Sequence, residues 1–406
     1  MRAPPYRSRT ILVLAFVCAA CTARPRDAVT SAPPAAASGA SAAVSVLHIA
    51  TSSDYAPFSS VDAQGAHRGL DIEIAQRFAG DQGLPIDWVP IAWANLDAAT
   101  VHGGFDVAMS GVTLRADRAI IGRYSRSMAT TGAVAIVRAA DASRFARLES
   151  LDQPGVRIAV NSGGHLERVT RERFPRATIL PQSRNAAVPL TLRDGRADVA
   201  ISDTAEAHMW LNADLVKLPP FTVDHKGYLL PIDRGPLATQ LDTWLRAREA
   251  DGWLNAARVR WLGPEASMDA ATAAREAVAA LVRLRLDIMP SVAAAKHAAG
   301  LPIEDRAQEA RVLERVRAQV PNDPNRAAAA YAVLIEMAKR EQRAAAPEDK
   351  PPTLETLRAA LGRIDETLCA EIQALPQSSN ADWRATLSRT LGASPLVDQL
   401  SQVLAK

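Results

Sequence analysis

The sequence contains charged residues at a spacing that suits the binding of an anion. Arg285 and Lys296 are eleven residues apart, close to three helical turns, so they share one face of a helix. Pro290 lies between them, and a bend there need not separate the two faces. Two cations on one face can hold an organic anion, whereas the alternative is a solvated face of an Ala-rich helix.

A second group of polar residues follows a strand-like run at residues 105–109. Ser110, Gly111 and Thr113 come directly after it, and Arg118 lies a few residues further on. A hydroxyl and backbone N–H groups at a strand end can receive a carboxylate, and a guanidinium can add a two-pronged contact. The alternatives are a structural ion pair for Arg118 and a strand-end cap for Thr113.

Two carboxylates and two aromatic rings complete the candidates for chemistry in this part of the chain. Glu206 follows a strand-like run, and in a closed, partly apolar cleft its pKa would rise so that it could donate a proton near neutral pH. Asp203 can bind a ligand amine or cap the following helix. Tyr55 and Trp93 are the aromatic residues that we expect to clamp a flat ring.

The elements that must position these residues change in character along the chain. From residue 46 short β-like runs alternate with helical patterns, which predicts parallel βαβ units. After residue 265 the chain is rich in Ala, Leu, Arg and Glu at helical spacing, so we expect three or four helices. The predicted helix breaks lie at residues 300–302, 321–324 and 347–352. We therefore predict an α/β domain over residues 46–264 and an all-α domain over residues 265–406.

Composition and the first residues restrict the function further. The chain has 406 residues, a length that favours two domains. Its net charge of +3 offers no argument for a nucleic-acid partner. A basic start and a short apolar run ending at Cys21 predict an export signal over residues 1–21, followed by a tether over residues 22–45. Whether Cys21 carries a lipid anchor or the mature chain is soluble stays open. No Cys/His cluster has metal-ligand spacing, so neither a metal nor a cofactor is expected.

The motifs of the α/β part resemble the family 3 solute-binding proteins, which have a two-lobed periplasmic-binding-protein-like fold. The segment Gly-Leu-Asp-Ile-Glu-Ile at residues 69–74 is the signature of that family. The resemblance implies two lobes that close over a ligand. It also implies that Thr113 and Arg118 hold the α-carboxylate of the ligand and that Asp203 matches the residue that binds an amine.

Trp-Ala-Asn-Leu at residues 93–96, Asn-Ser-Gly-Gly at residues 161–164 and Lys-Gly-Tyr-Leu-Leu-Pro at residues 226–231 form a further set of motifs. This set resembles the periplasmic cyclohexadienyl dehydratases within that family. These enzymes convert prephenate, and in many cases arogenate, to phenylpyruvate or phenylalanine by loss of water and carbon dioxide. The carry-over implies that Glu206 is the general acid and that Asn161 orients it. Two departures bear on this activity, because Ala133 stands where a Lys is usual, and His165 and Leu166 stand where Thr and Asn are usual. Lys226 or His165 are the residues that can compensate.

The helical part resembles the exported class of all-helical chorismate mutases. The resemblance rests on Val-Ala-Ala-Ala-Lys at residues 292–296 and on Pro-Ile-Glu-Asp at residues 302–305, with Gln-Glu following. Such enzymes hold chorismate in a chair-like shape and stabilise the charge that grows on its ether oxygen. The site residues that the resemblance implies are Arg285, Lys296, Asp305, Glu309 and Gln342. A further cation is expected from Arg358 or Arg363.

Both resemblances point to consecutive reactions, since prephenate is the product of the first and the substrate of the second. The sequence therefore predicts a bifunctional periplasmic enzyme of phenylalanine biosynthesis with chorismate, prephenate and, where it is used, arogenate as substrates. The alternative is a chorismate mutase fused to a non-catalytic amino-acid-binding domain of a transporter. The oligomeric state is left open, with a dimer as one expectation.

Overall fold

The structure is a computed structural model, and it describes residues 46–375 and 382–406. The predicted export signal and tether at residues 1–45, with Cys21, lie outside the described residues. The strands are β1 (Leu47–Thr51), β2 (Asp54–Tyr55), β3 (Ser59–Val61), β4 (His67–Arg68), β5 (Ile86–Pro90), β6 (Val107–Ala108), β7 (Gly122–Tyr124), β8 (Ala129–Thr131), β9 (Ala133–Arg138), β10 (Arg157–Asn161), β11 (Thr178–Gln182), β12 (Val199–Asp203), β13 (Leu215–Lys217), β14 (Asp224–Lys226) and β15 (Leu229–Pro231).

Fifteen helices accompany these strands in the described part of the chain. They are α1 (Leu70–Asp81), α2 (Leu96–His102), α3 (Ala116–Ile121), α4 (His165–Arg173), α5 (Ala187–Arg193), α6 (Thr204–Trp210), α7 (Gly235–Ala250), α8 (Trp253–Leu262), α9 (Ala270–Asp287), α10 (Met289–Ala298), α11 (Arg306–Gln319), α12 (Pro324–Ala344), α13 (Leu354–Ala374), α14 (Trp383–Leu391) and α15 (Pro395–Ala405).

The first lobe is built on a five-stranded sheet in the order β5-β1-β6-β15-β7. β1 pairs in parallel with β5 and β6, whereas β15 runs antiparallel to β6 and β7. The apolar residues of β1 and the buried face of α1, including Phe78, form its core. The sequence prediction of βαβ units is confirmed for the strands that pair in parallel.

The second lobe repeats this plan with the strand order β11-β10-β12-β9-β13. β10 lies parallel to β11 and β12, while β9 and β13 are antiparallel additions. β8 and β14 pair antiparallel where the chain crosses between the lobes. Because the parallel strands of both lobes end towards the crossing, the loops after β6, β10 and β12 converge on one cleft.

The helical part contains seven helices, α9 to α15, among the residues described, not the three or four expected. The breaks predicted from Pro and Gly are confirmed, but α9 and α10 are separate helices because Pro290 occupies the first turn of α10. The tail also forms two further helices. Side-chain caps start these helices at Asp269, Asp305, Thr353 and Ser394.

The helical part packs directly on the first lobe through α9 and α13. One apolar cluster continues from Ala119 and Tyr124 of the first lobe to Leu281 and Leu284 of α9. Cys369 is a free cysteine buried in α13. Of the helices in residues 46–375 and 382–406, none has the length and apolar character needed to cross a membrane.

Candidate active sites in the two domains

The cleft between the lobes encloses a cavity of about 40 Å³ whose wall comes from both lobes. This volume is below the roughly 150 Å³ of a cavity that holds a benzene ring, so the cleft must widen to admit a ring-shaped ligand. The wall consists of Tyr55, Trp93, Gly111, Thr113, Arg118, Asn161, Gly164, His165, Leu166, Asn185 and Lys226. Most of the residues predicted for this site are therefore brought together.

Arg118 presents part of its guanidinium to the cavity while another part is already paired. Its Nε donates to Asp97 Oδ1 at 2.7 Å, so the structural ion pair considered from the sequence exists. Its Nη1 is buried and has no hydrogen-bond partner among the described residues. A buried, unpartnered N–H of a cation is costly, and a ligand carboxylate would satisfy it. Arg118 therefore forms the structural ion pair and also keeps one N–H group that suits a ligand carboxylate.

Gly111 allows the aromatic wall to approach the backbone. Its φ is +65°, and an added Cβ would lie 2.7 Å from Tyr55 Cε1 and 2.9 Å from the Phe58 ring. The Gly111 N–H donates to Asp71 Oδ2 at 2.5 Å. This amide is therefore not free for a ligand, contrary to the expectation that it receives a carboxylate. Burial raises the pKa of Asp71 to about 7.

Ser110 does not line the cavity, which corrects the prediction that its hydroxyl receives a ligand carboxylate. Its Oγ accepts a hydrogen bond from the Ser52 amide at 3.1 Å and lies 2.8 Å from Ser52 Oγ. The side chain therefore joins the loop after β6 to the loop after β1. The strand-end hydroxyl that reaches the cavity is that of Thr113, whose Oγ1 accepts from Lys226 Nζ at 2.9 Å.

Lys226 supplies a second cation to the cavity from the strand β14. Its ammonium lies 3.0 Å from Asp203 Oδ2 and 3.4 Å from the Tyr55 hydroxyl. Asp203 is directly opposite Ala133 in the pairing of β12 with β9, so a lysine at position 133 would project beside Asp203 on the same face. Lys226 therefore provides an ammonium beside Asp203, where a lysine at position 133 would place its own.

Asp203 caps α6 and is not part of the cavity wall. Its Oδ1 accepts from the Ala205 amide at 2.8 Å, and its Oδ2 accepts from Thr131 Oγ1 at 2.7 Å in addition to Lys226. The side chain is fully buried. Of the two roles considered from the sequence, the structure contains the helix cap, and the amine-binding role would require displacement of Lys226.

Glu206 lies behind the cavity wall, where its carboxyl contacts the wall residue Asn185. Its environment favours the protonated form. Its carboxyl is hydrogen-bonded to Asn185 Nδ2 and to Ser202 Oγ, the latter at 2.7 Å. Burial, with the nearby charge of Asp203, raises the pKa of Glu206 to about 8 against the lowering effect of these hydrogen bonds. A carboxylic acid with this pKa can donate a proton near neutral pH.

Asn185, not Asn161, is the amide that contacts Glu206, which corrects the role expected for Asn161. Asn161 ends β10 and lines the cavity, while Asn185 lies in the loop before α5. No motif marks this loop, so the sequence offered no signal for Asn185. His165 also reaches the wall, with its Nε2 3.0 Å from Asp224 Oδ1.

The helical domain has its own cavity of about 130 Å³ between α10, α11, α12 and α13. All five residues predicted for the second site line it: Arg285, Lys296, Asp305, Glu309 and Gln342. Arg285 and Lys296 both line this cavity, but they lie on separate helices, α9 and α10, so the expectation that they share one face of a single helix is not confirmed. The buried Arg285 Nη1 and Gln342 Oε1 have no hydrogen-bond partner among the described residues.

The other polar residues of this cavity form hydrogen bonds or ion pairs with neighbouring residues of the helical domain. Lys296 Nζ donates to the Ile303 carbonyl at 2.5 Å, and desolvation lowers the pKa of this ammonium. Asp305 caps α11 by accepting from the Gln308 amide at 2.9 Å. Glu309 lies 3.0 Å from Lys339 Nζ, a further cation of the wall that the sequence analysis did not single out.

Arg358 is the further cation of this site, and Arg363 is not. Arg358 lines the cavity together with Lys296. Arg363 lies on the same helix α13 but donates to the carbonyls of Gly122, Ala119 and Ile120 at 3.1, 3.0 and 2.9 Å. Those carbonyls belong to the end of α3 and the start of β7, so Arg363 is a residue of the domain interface.

Arg285 is oriented by Asp365, a residue that the sequence analysis missed. Arg285 Nε donates to Asp365 Oδ1 at 3.0 Å, and the hydroxyl of Tyr331 donates to the same oxygen at 3.0 Å. Asp365 is 1% exposed, and Arg315 Nη2 donates to its Oδ2 at 3.1 Å, so two guanidinium groups pair with this carboxylate. The signal in the sequence was only a charged residue at a helix position that should be apolar.

Comparison with known proteins finds one family in the α/β part of the chain and another in the helical part. Residues 47–264 match the family model of bacterial extracellular solute-binding proteins, family 3, and residues 275–343 match that of chorismate mutase type II. The chain is similar to a cyclohexadienyl dehydratase of Pseudomonas aeruginosa, with 34% identity over 53% of this chain and 82% of that protein. It is also similar to a probable histidine-binding protein of Neisseria gonorrhoeae, with 26% identity over 55% of this chain and 82% of that protein.

A solved structure with the same fold is that of an ancestral amino acid-binding protein described as a precursor of cyclohexadienyl dehydratase. It has 28% identity and a TM-score of 0.52, and the match covers 53% of this chain and 95% of that one. The chain thus belongs to the family 3 bacterial extracellular solute-binding proteins. Its helical part is a chorismate mutase type II domain, so the chain joins two families in one polypeptide.

Proposed function

We propose that the chain is a bifunctional enzyme that rearranges chorismate to prephenate and then converts prephenate to phenylpyruvate. The helical domain performs the first reaction and the α/β domain the second. The observation that carries the proposal is the buried Glu206 carboxyl, whose pKa burial raises to about 8, behind a cavity lined by Arg118 and Lys226. This site contains the proton donor and the cations that a dehydration and decarboxylation of a dianion requires.

In the helical domain the reaction needs binding and charge stabilisation but no nucleophile. Arg285 and Arg358 bind the carboxylates of chorismate, since both guanidinium groups line the cavity. Lys296 and Gln342 donate to the ether oxygen, where negative charge grows as its bond to carbon breaks. Gln342 contributes an amide N–H, and its role requires that this amide turn from Met289 Sδ, its partner at 3.6 Å in the structure.

In the α/β domain the ring hydroxyl and the ring carboxylate leave together. Glu206 donates its proton to the departing hydroxyl, which leaves as water. The electrons of the bond between the ring and its carboxylate enter the ring, which becomes aromatic, and carbon dioxide is released. Arg118 and Thr113 bind the carboxylate of the side chain that remains. The Tyr55 and Trp93 rings contact each other edge to face with centroids 5.8 Å apart, so they form one aromatic wall against which the substrate ring packs, not the clamp expected from the sequence.

The test uses the purified full chain with each substrate separately and with no added metal or cofactor. Chorismate should disappear and phenylpyruvate should accumulate, and prephenate supplied alone should also give phenylpyruvate. Lys296→Ala should lower chorismate consumption by about a hundredfold or more while prephenate conversion continues. A near-normal rate of chorismate consumption in Lys296→Ala would overturn the assignment of the mutase site.

The competing function is a mutase fused to an amino-acid carrier, for which the similarity to a probable histidine-binding protein is the observation. In a carrier of that kind prephenate would not be converted and an amino acid would bind tightly. Calorimetric titration with L-histidine beside the prephenate assay separates the two. Conversion of prephenate without histidine binding supports the dehydratase.

We also propose that the chain is exported to the periplasm, with residues 1–21 as its signal. Membership of the extracellular solute-binding proteins supports the location. The mass of the mature N-terminus distinguishes a lipidated Cys21 from a soluble chain. Light scattering of the purified protein determines whether it is the dimer that the sequence analysis left open.

A further inference from the structure

The charge pair of Lys226 and Asp203 determines what a ligand meets in the cleft of the α/β domain. The two side chains are 2% and 0% exposed, and Nζ lies 3.0 Å from Oδ2. Lys226 is part of the cavity wall and Asp203 is not. A ligand in this cavity therefore contacts the ammonium, while the carboxylate is covered by it.

No Asp or Glu belongs to the cavity wall among the described residues. The nearby carboxyl groups are each satisfied from within the protein. Asp203 accepts from Ala205, Thr131 and Lys226 and is also hydrogen-bonded to the Tyr55 hydroxyl. Asp224 is paired with His165 at 3.0 Å, and burial raises the pKa of Glu206 to about 8. The polar groups that remain for a ligand are an N–H of Arg118, the ammonium of Lys226 and neutral amides and hydroxyls.

We infer that Lys226 selects for substrates with a 2-oxo group and against their 2-amino counterparts. The inference rests on the proposed dehydratase function and makes it narrower, because prephenate and arogenate differ at this carbon alone. A 2-oxo oxygen accepts a hydrogen bond from the Lys226 ammonium. A 2-ammonium group in the same place repels it and finds no carboxylate to receive its protons.

Asp203 has the opposite effect when Lys226 is absent. With the ammonium removed, the buried Asp203 carboxylate would keep the hydroxyls of Thr131 and Tyr55 as hydrogen-bond partners but would have no cation beside it. A ligand ammonium would then replace the lost partner and relieve the cost of an unpaired buried charge. Removal of Lys226 should therefore turn the preference towards amines, and removal of both charges should abolish it.

The test is the binding of a product pair that differs only at the carbon concerned, phenylpyruvate and L-phenylalanine, by calorimetry on the full chain. The wild type should bind phenylpyruvate at least roughly tenfold more tightly than L-phenylalanine, the size expected for one buried charge contact. Lys226→Met should change this ratio by about tenfold or more in favour of L-phenylalanine. Lys226→Met combined with Asp203→Asn should lose that gain.

The matched control is Lys217→Met, the same substitution at an exposed lysine of β13 in the second lobe, which should leave the ratio unchanged. Asp203→Asn alone keeps an acceptor for the Ala205 amide and should retain the preference for phenylpyruvate. Equal binding of the two ligands by the wild type, or an unchanged ratio in Lys226→Met, overturns the inference. A preference for phenylpyruvate without any conversion of prephenate overturns the proposed function and leaves the inference intact.

Discussion

Glu371 of α13 lies 3.2 Å from the Nε of Arg126 in the α/β domain, and the two side chains are 1% and 2% exposed. A second guanidinium, that of Arg246, donates to the same carboxylate at 2.8 Å. The two domains are thus joined by a buried ion pair with charges from both sides. Removal of one partner from such a group leaves an unpaired charge in the interior.

Glu371→Ala should destabilise the protein by about 3–5 kcal/mol, because the buried Arg126 would lose its nearer carboxylate and keep only Glu249, whose Oε1 lies 3.9 Å from Nη1. Differential scanning calorimetry measures the change through the unfolding temperatures of the domains. The control is Glu366→Ala, which removes an exposed partner of Arg123 on the same helix. That substitution should cost no more than about 1 kcal/mol. Equal effects of the two substitutions would contradict the interface described.

The dehydratase reaction should slow as the pH rises above about 8, the pKa to which burial raises Glu206. The proton donor is present below this pKa and is lost above it. The same raised pKa means that folding is favoured with Glu206 protonated, so its contribution to stability declines from the unfolded pKa up to about 8.

Rate measurements between pH 6 and 9.5, with prephenate and with chorismate, check this expectation in one protein. The mutase site does not contain Glu206, so its pH profile serves as the internal reference. Glu206→Gln should lower prephenate conversion by about a hundredfold or more and leave chorismate consumption intact. A dehydratase rate that stays level past pH 9 would remove Glu206 from the role of general acid.

Arg358→Ala and Arg363→Ala should have different consequences although the two residues lie on one helix. Arg358→Ala should raise the KM for chorismate or lower kcat by about a hundredfold, since a carboxylate loses its guanidinium. Arg363→Ala should mainly lower the unfolding temperature, because its contacts are the backbone carbonyls of the first lobe. Steady-state kinetics with calorimetry distinguishes these outcomes. A larger kinetic loss in Arg363→Ala would reverse the choice between them.

Gly111→Ala should impair prephenate conversion more than strain alone explains. Its added Cβ meets Tyr55 at 2.7 Å, so the ring against which the substrate packs must move. Gly65→Ala is the matched control, since Gly65 also has a positive φ, +81°, but nothing within 4 Å of an added Cβ. Gly65→Ala should lose about 1 kcal/mol of stability, and Gly111→Ala should lose more, because the buried rings of Tyr55 and Phe58 must shift. Only Gly111→Ala should raise the KM for prephenate, and equal KM values would show that Tyr55 is not displaced.

The sequence predicted the two fold types and most wall residues, because these depend on local patterns and motifs. Arg285 and Lys296 were expected on one face of a single helix, but α9 ends between them, and they come together because α9 and α10 border the same cavity. Asn185 and Asp365 could not be found, because their roles arise from contacts with residues distant in sequence. Asn161 was given the role of Asn185 because a motif marks its strand, whereas the hydrogen bond depends on how the loop before α5 folds back.

Helix α13 serves both halves of the molecule at the same time. Arg358 lines one cavity, Asp365 orients Arg285, Arg363 holds the end of α3 and Glu371 pairs with Arg126. Each face of this helix is therefore committed, and a substitution that suits one neighbour must also suit the others. During evolution α13 should accept fewer changes than α14 or α15, and an exchange of either domain for a homologous one would require this helix to be rebuilt.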